Sequence, residues 1–239
     1  MSRSDRIIER EALLFRLEKG LTSFEPVNLK SLLLKYNILT LFRPLSENFS
    51  GMCIKSQSGK MFMLVNSTQS RGRQRFTIAH ELYHLYIEKN PKPHICTVGE
   101  QKNLSEKNAD AFASVLLMPS DGIMQLIPEE ELNIQNLSLA TVLKIEHYFV
   151  ISHKALVYRL ADLNLIKKSY AQELLILPIK DNARQYGYDI NIYEPGNSGL
   201  VIGDYGAHAR LLFDDGKISE GHYLELLSKI SRDNEACEN

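Results

Sequence analysis

The stretch "IAHELYHLYIEKN", residues 78–90, sets two histidines four positions apart with a glutamate directly after the first. On an α-helix, positions i and i+4 share a face about one turn apart, so His80 and His84 can aim both imidazoles at one point. That geometry is the reason an H-E-x-x-H spacing binds zinc. Glu81 lies beside the same face, where it can hold a water molecule, take its proton and deliver it to a leaving amine. The bare pattern also arises by chance, so the surrounding residues have to decide. In the longer stretch "RQRFTIAHELYHLYIEKN", residues 73–90, Phe76, Ile78, Ala79, Leu82 and Leu85 supply apolar faces. Burying two histidines on such a helix without partners would be costly.

A catalytic zinc takes three protein ligands and keeps one position open. The segment "SEKNADAFASVLLMP", residues 105–119, reads as a second helix with Ser105 as N-cap and Met118-Pro119 as its end. Glu106 and Asp110 are again i and i+4. This spacing makes Glu106 the candidate third ligand and Asp110 the acceptor for a ligand imidazole's other N–H, the contact that fixes histidine tautomers in zinc sites. The competing reading is a solvated acidic edge, which the helix dipole favours at any N-terminus.

Composition bounds what else the chain can do. With 239 residues, 44% hydrophobic and 24% charged, it suits one large domain or a catalytic domain with a smaller companion. A formal net charge of −1 argues against broad electrostatic attraction to nucleic acid or anionic membrane. No apolar run is long enough to span a bilayer, and "MSRSDRIIEREALLFRLEKG" lacks the apolar core of a signal peptide. Cys53, Cys96 and Cys237 are far apart and form no CxxC pair, as expected of thiols in the cytoplasm.

Along the chain, Ile7, Ile8, Ala12, Leu13, Leu14 and Leu17 predict a helix stopped by Gly20, and residues 28–37 predict another. Strands are expected in "ILTLFRPL", residues 38–45, and "GMCIKSQSGKMFMLVN", residues 51–66, the latter a hairpin turning at Ser58-Gly59. The "MFMLVN" strand is open to two readings, an edge for an extended substrate or an interior core strand. From about residue 104 to 176 the pattern is helical, and beyond it a mixed segment ends in the amphipathic "EGHYLELLSKI". The order helix, sheet, helices predicts an α+β class.

Two stretches together, "FSGMCIKSQSGKMFMLVNSTQSRGRQRFTIAHELYHL" and "EKNADAFASVLLMP", resemble the ImmA/IrrE-type zinc metallopeptidases, an HExxH, gluzincin-like anti-repressor family. Similarity continues in "YFVISHKALVYRLADLNLI", covers roughly residues 28–168, and returns weakly in "GDYGAHARLLFDDGKIS". The resemblance implies a zincin-like metallopeptidase core, a small sheet plus active-site helices, with one Zn2+ per chain on His80, His84 and Glu106 and with Glu81 as general base. It also implies a protein substrate, a repressor of the XRE/HTH family, inactivated under stress or to release a mobile element. Tyr83 departs from the family pattern, where Gly is common, and is expected to pack. His94, Tyr86, Tyr158 and His153 are candidates by chemistry alone for stabilising an oxyanion.

The expected division is a zinc metallopeptidase domain at 1–130, a helical, helix-turn-helix-like segment at 131–176 and a mixed C-terminal segment at 177–239. Residues 137–163 read as helix, turn, helix with Ser152 as N-cap of the second helix. Lys144, Lys154, Arg159, Lys167 and Lys168 oppose Glu146 and Asp162, and only Lys154 and Arg159 fall on the would-be recognition helix, few for phosphate contacts. Two functional readings follow: a cytoplasmic zinc endopeptidase, or a metal-containing regulatory protein acting through repressor or DNA contact without proteolysis. An intact Glu81 favours the enzyme, because a structural metal site has no need of a base beside its ligands.

Overall fold

Burial alternates along β1 (Ile38–Arg43), so Ile38, Thr40 and Phe42 turn inward while Leu39, Leu41 and Arg43 stay half-exposed. With β2 (Phe49–Lys55), β3 (Met61–Asn66), β4 (His94–Thr97) and β5 (Val201–Ile202) it forms a five-stranded sheet in the order β4-β2-β3-β1-β5. β1 and β3 run parallel, and the other pairs are antiparallel. Gly59, at φ 80°, makes the β2–β3 turn where Ser58-Gly59 predicts it. β3 lies inside the sheet between β2 and β1, so "MFMLVN" is an interior strand and both its edges are taken. The computed structural model describes residues 3–88, 94–97, 103–132 and 135–231, with side chains at 6–88, 103–132 and 135–228.

Helix α1 (Arg3–Glu18) ends before Gly20 at φ 74°, and α2 (Leu29–Lys35) is capped by Asn28, which accepts from Ser31 N–H at 3.0 Å. The metal-motif helix is α3 (Arg71–Tyr86), capped by Ser70. It packs between the sheet and α4 (Leu104–Leu117), and every residue from Thr77 to Leu85 is buried. Phe112 on α4 meets Phe15 at 5.5 Å and Tyr83 at 5.8 Å between ring centroids, which ties α1, α3 and α4 together. Arg16 is buried at their junction. It donates to the carbonyls of Thr22, Glu25 and Leu116, and desolvation pushes its pKa down to about 10.

One hydrophobic cluster runs from Ile8 to Ile202 and includes Val142, Ile145, Phe149, Leu156, Val157 and Leu160. Beyond α5 (Ser120–Leu126) and α6 (Glu129–Leu132), helices α7 (Leu139–Phe149) and α8 (His153–Asp162) therefore share the core of the metal-motif helix, on both sides of residue 130. Val150 takes the left-handed conformation (φ 54°) that ends α7, and Ser152 sits at the α8 N-cap without a side-chain capping bond. A Cβ added to Gly72 would fall 2.7 Å from Ser152 N, so the first turn of α3 presses directly on the α7–α8 turn. Arg159 is buried, donating to Met118 O at 3.2 Å and lying 3.5 Å from Glu9. Its charge is spent inside the fold, leaving Lys154 as the exposed cation of the pair singled out on that helix.

The C-terminal segment braces the start of α3. Arg71 N–H donates to Glu194 O at 2.8 Å, and buried Gln74 donates to Gln69 O at 2.7 Å and Gly196 O at 2.9 Å while accepting from Asn197 at 2.8 Å. Helices α9 (Lys168–Leu175) and α10 (Ile179–Gln185) precede this brace; after it β5 pairs with β1, and α11 (Tyr205–Asp214) and α12 (Glu220–Ser231) stack Phe213 on Tyr223 at 5.2 Å. Among the described residues, no helix is long and apolar enough to cross a membrane.

Candidate metal centre

Burial of His80, Glu81 and His84, each at 1% exposure or less, places three titratable groups in the interior of the fold. Such groups persist there only when their polar atoms are satisfied, by other side chains or by a cation. The i, i+4 spacing brings His80 Nε2 and His84 Nε2 within 3.3 Å of each other. From α4, Glu106 Oε2 reaches His80 Nε2 at 3.3 Å and Glu106 Oε1 reaches His84 Nε2 at 3.5 Å. One donor atom from each of the three residues falls within 4.8 Å of the others.

The outer nitrogens face carboxylates. His80 Nδ1 lies 3.0 Å from Asp110 Oδ1, and His84 Nδ1 lies 2.8 Å from Glu88 Oε2. A carboxylate accepts, so each Nδ1 is placed to donate, and in a neutral ring that arrangement turns the Nε2 lone pair inward. Two imidazole lone pairs and a carboxylate then converge on one small volume. Like partial charges gathered at 3.3–3.5 Å call for a positive centre between them. The donor set, two nitrogens and one carboxylate oxygen, fits a catalytic zinc with an open coordination position.

Glu81 is fully buried at the seam between α3 and β2. Gly51 makes that seam possible. A Cβ there would sit 2.5 Å from Thr77 Cγ2, 3.0 Å from Leu64 O and 3.6 Å from Glu81 Oε1. A side chain at position 51 would thus push the strand off the helix at the level of the proposed base. Tyr83 is buried against His84 and Phe112, with ring centroids at 5.4 and 5.8 Å. Burial pushes its hydroxyl pKa up, against a hydrogen bond with Asn108, and the charge of Glu88 adds to the rise. Tyr83 packs, as the sequence reading expects.

The structure brings His80, His84, Glu106 and Asp110 together and sets Glu81 in the same turn. The oxyanion candidates fare differently. Tyr86 packs on Phe15 and Tyr36, Tyr158 stands 48% exposed on α8, and the His94 side chain lies outside the described residues. His153 is committed to Glu146 Oε2 at 2.8 Å and Leu174 O at 3.0 Å. Two contributors escape the sequence reading. Glu88 carried a signal, its i+4 spacing from His84, whereas Gly51 carried none because its role depends on strand and helix meeting. Ser105 is also reassigned: Asn103 caps α4, accepting from Glu106 N–H at 3.0 Å, which leaves the Ser105 hydroxyl to donate to Glu88 Oε1 at 2.5 Å.

A histidine pair on one helix and a glutamate on the next, set beside a small sheet in an α+β fold, define a metallopeptidase-type centre. The chain belongs to the peptidase M78 family: the family model for the IrrE N-terminal-like domain matches residues 34–161. That match takes in β1–β3, both motif helices, α7 and all but the last residue of α8. No curated protein matches the chain.

Proposed function

We propose that this chain is a zinc-dependent endopeptidase with His80, His84 and Glu106 as its metal ligands and Glu81 as its general base. The observation that carries the reading is the convergence of His80 Nε2, His84 Nε2 and the Glu106 carboxylate, with the buried Glu81 next in sequence to the first ligand. Bound zinc supplies Lewis acidity toward a water molecule and the scissile carbonyl. Glu81 takes a proton from the attacking water and passes it to the leaving amine nitrogen. Asp110 holds the His80 imidazole in the tautomer that presents Nε2.

The substrate in this proposal is a helix-turn-helix repressor of the XRE type in the cytoplasm, inactivated by cleavage under stress or when a mobile element is released. Family resemblance supports this choice. Direct DNA contact is not part of the proposal, because Arg159 is buried and α8 keeps little positive charge at its surface. The division into 1–130, 131–176 and 177–239 is proposed as one of roles: metal chemistry, docking of the repressor, and bracing of α3. Glu81→Gln tests the assignment: zinc is retained and cleavage of a candidate repressor is lost. Cleavage at the wild-type rate would remove Glu81 from the mechanism.

A further inference from the structure

We propose that Glu88 is the positioning residue for His84 and that Ser105 fixes Glu88, so that a carboxylate–hydroxyl clasp joins the end of α3 to the start of α4. This inference rests on the ligand assignment above. Three contacts and one peptide bond close a circuit. His84 Nδ1 lies 2.8 Å from Glu88 Oε2, and the Ser105 hydroxyl donates to Glu88 Oε1 at 2.5 Å. Ser105 precedes Glu106 in the chain, and Glu106 Oε1 returns to His84 Nε2 at 3.5 Å.

A carboxylate just past a helix C-terminus sits at the wrong end of the dipole, where cations are favoured. Glu88 occupies that place, its backbone N–H donating to Tyr83 O at 3.0 Å. An unconstrained glutamate there would turn to solvent, yet its side chain is only 25% exposed and each oxygen meets a partner. Asn103 takes over the capping of α4, which leaves the Ser105 hydroxyl available to Glu88. Accepting a hydrogen bond from Nδ1–H fixes the His84 tautomer, orients the ring and makes Nε2 a better electron-pair donor. Because Ser105 and Glu106 are neighbours, the same clasp sets the distance between the second and third ligands.

The test is zinc affinity at one pH, measured by competition against a chromophoric chelator, together with the visible spectrum of the cobalt(II)-loaded protein. Glu88→Gln is expected to weaken zinc binding about 10–100-fold and to change the cobalt spectrum, since it removes the charge that His84 faces. Ser105→Ala shifts both readouts in the same direction, and Ser105→Thr, which keeps the hydroxyl, restores them. A contact serving only to hold the helices would leave the cobalt spectrum unchanged. Should Glu88→Gln fail to fold, the Ser105 pair carries the test. Wild-type affinity and spectrum in Ser105→Ala or Glu88→Gln would overturn the clasp alone. A wild-type protein that binds neither metal would instead overturn the ligand assignment beneath it.

Discussion

Asp110 Oδ1 stands 3.0 Å from His80 Nδ1, one turn along α4 from Glu106, so a single helix supplies both a ligand candidate and a carboxylate against another candidate's outer nitrogen. Asp110 is partly open to water, with a side-chain exposure of 32%, and contributes little to the core. Asp110→Ala is expected to leave the fold intact and to weaken zinc binding about 10–100-fold, measured by chelator competition. Unchanged affinity would show that His80 is oriented by its packing alone.

At Gly51 strand β2 and helix α3 come into close contact. Gly51→Ala places a methyl group against Thr77 Cγ2 and Leu64 O, within 2.5 and 3.0 Å before relaxation. Overpacking at such a contact costs about 1–3 kcal/mol, and the displacement falls beside Glu81. Chemical denaturation should show the loss of stability, with peptidase activity falling further than metal content does. A variant as stable as wild type would mean that the seam is looser than these distances imply.

His147 on α7 is stacked on Tyr188, ring centroids 4.3 Å apart, and its Nε2 lies 3.2 Å from the Tyr193 hydroxyl. Burial holds its pKa below the ordinary 6.5, against the raising charges of Glu146 and Asp189. The unfolded chain thus takes up this proton more readily than the folded one. Stability from neutral His147 is complete above about pH 6.5 and is lost as pH falls through the lower folded value. The melting temperature of wild type should consequently fall more steeply on acidification than that of His147→Phe. Parallel falls in the two proteins would assign acid sensitivity to other groups.

Local spacing made the centre of the site legible. His80, His84, Glu106 and Asp110 each lie on a helix whose periodicity fixes which residues share a face, so two i, i+4 pairs could be read as one site before any fold was known. The hairpin, the stop at Gly20 and the α+β class were legible for the same reason. What depended on long-range contact was not. Arg159 counts as a surface cation in the sequence and is buried under Glu9 and Met118 O, because α1 and the end of α4 close over it. Strand β3 lies between β2 and β1 because β1 adds in parallel on its far side, and no residue within "MFMLVN" announces that pairing. Asn103 and Ser105 are both competent caps, and only the position of Glu88 shows why the serine hydroxyl is used elsewhere.

The C-terminal brace follows the same logic. Gln74 accepts from Asn197 and donates to Gly196 O across more than a hundred residues of chain, contacts that no local pattern encodes. They place the segment after residue 190 against the first turn of the helix that carries the metal motif.

Metal content decides whether His80, His84 and Glu106 hold a metal ion. Protein purified without chelator or nickel affinity would be measured by mass spectrometry beside His84→Ala and Glu106→Ala. About one zinc per chain is expected in wild type, with loss of that zinc in both variants. An absence of metal in wild type, or zinc retained without Glu106, would contradict this ligand set and leave His80 and His84 to another explanation.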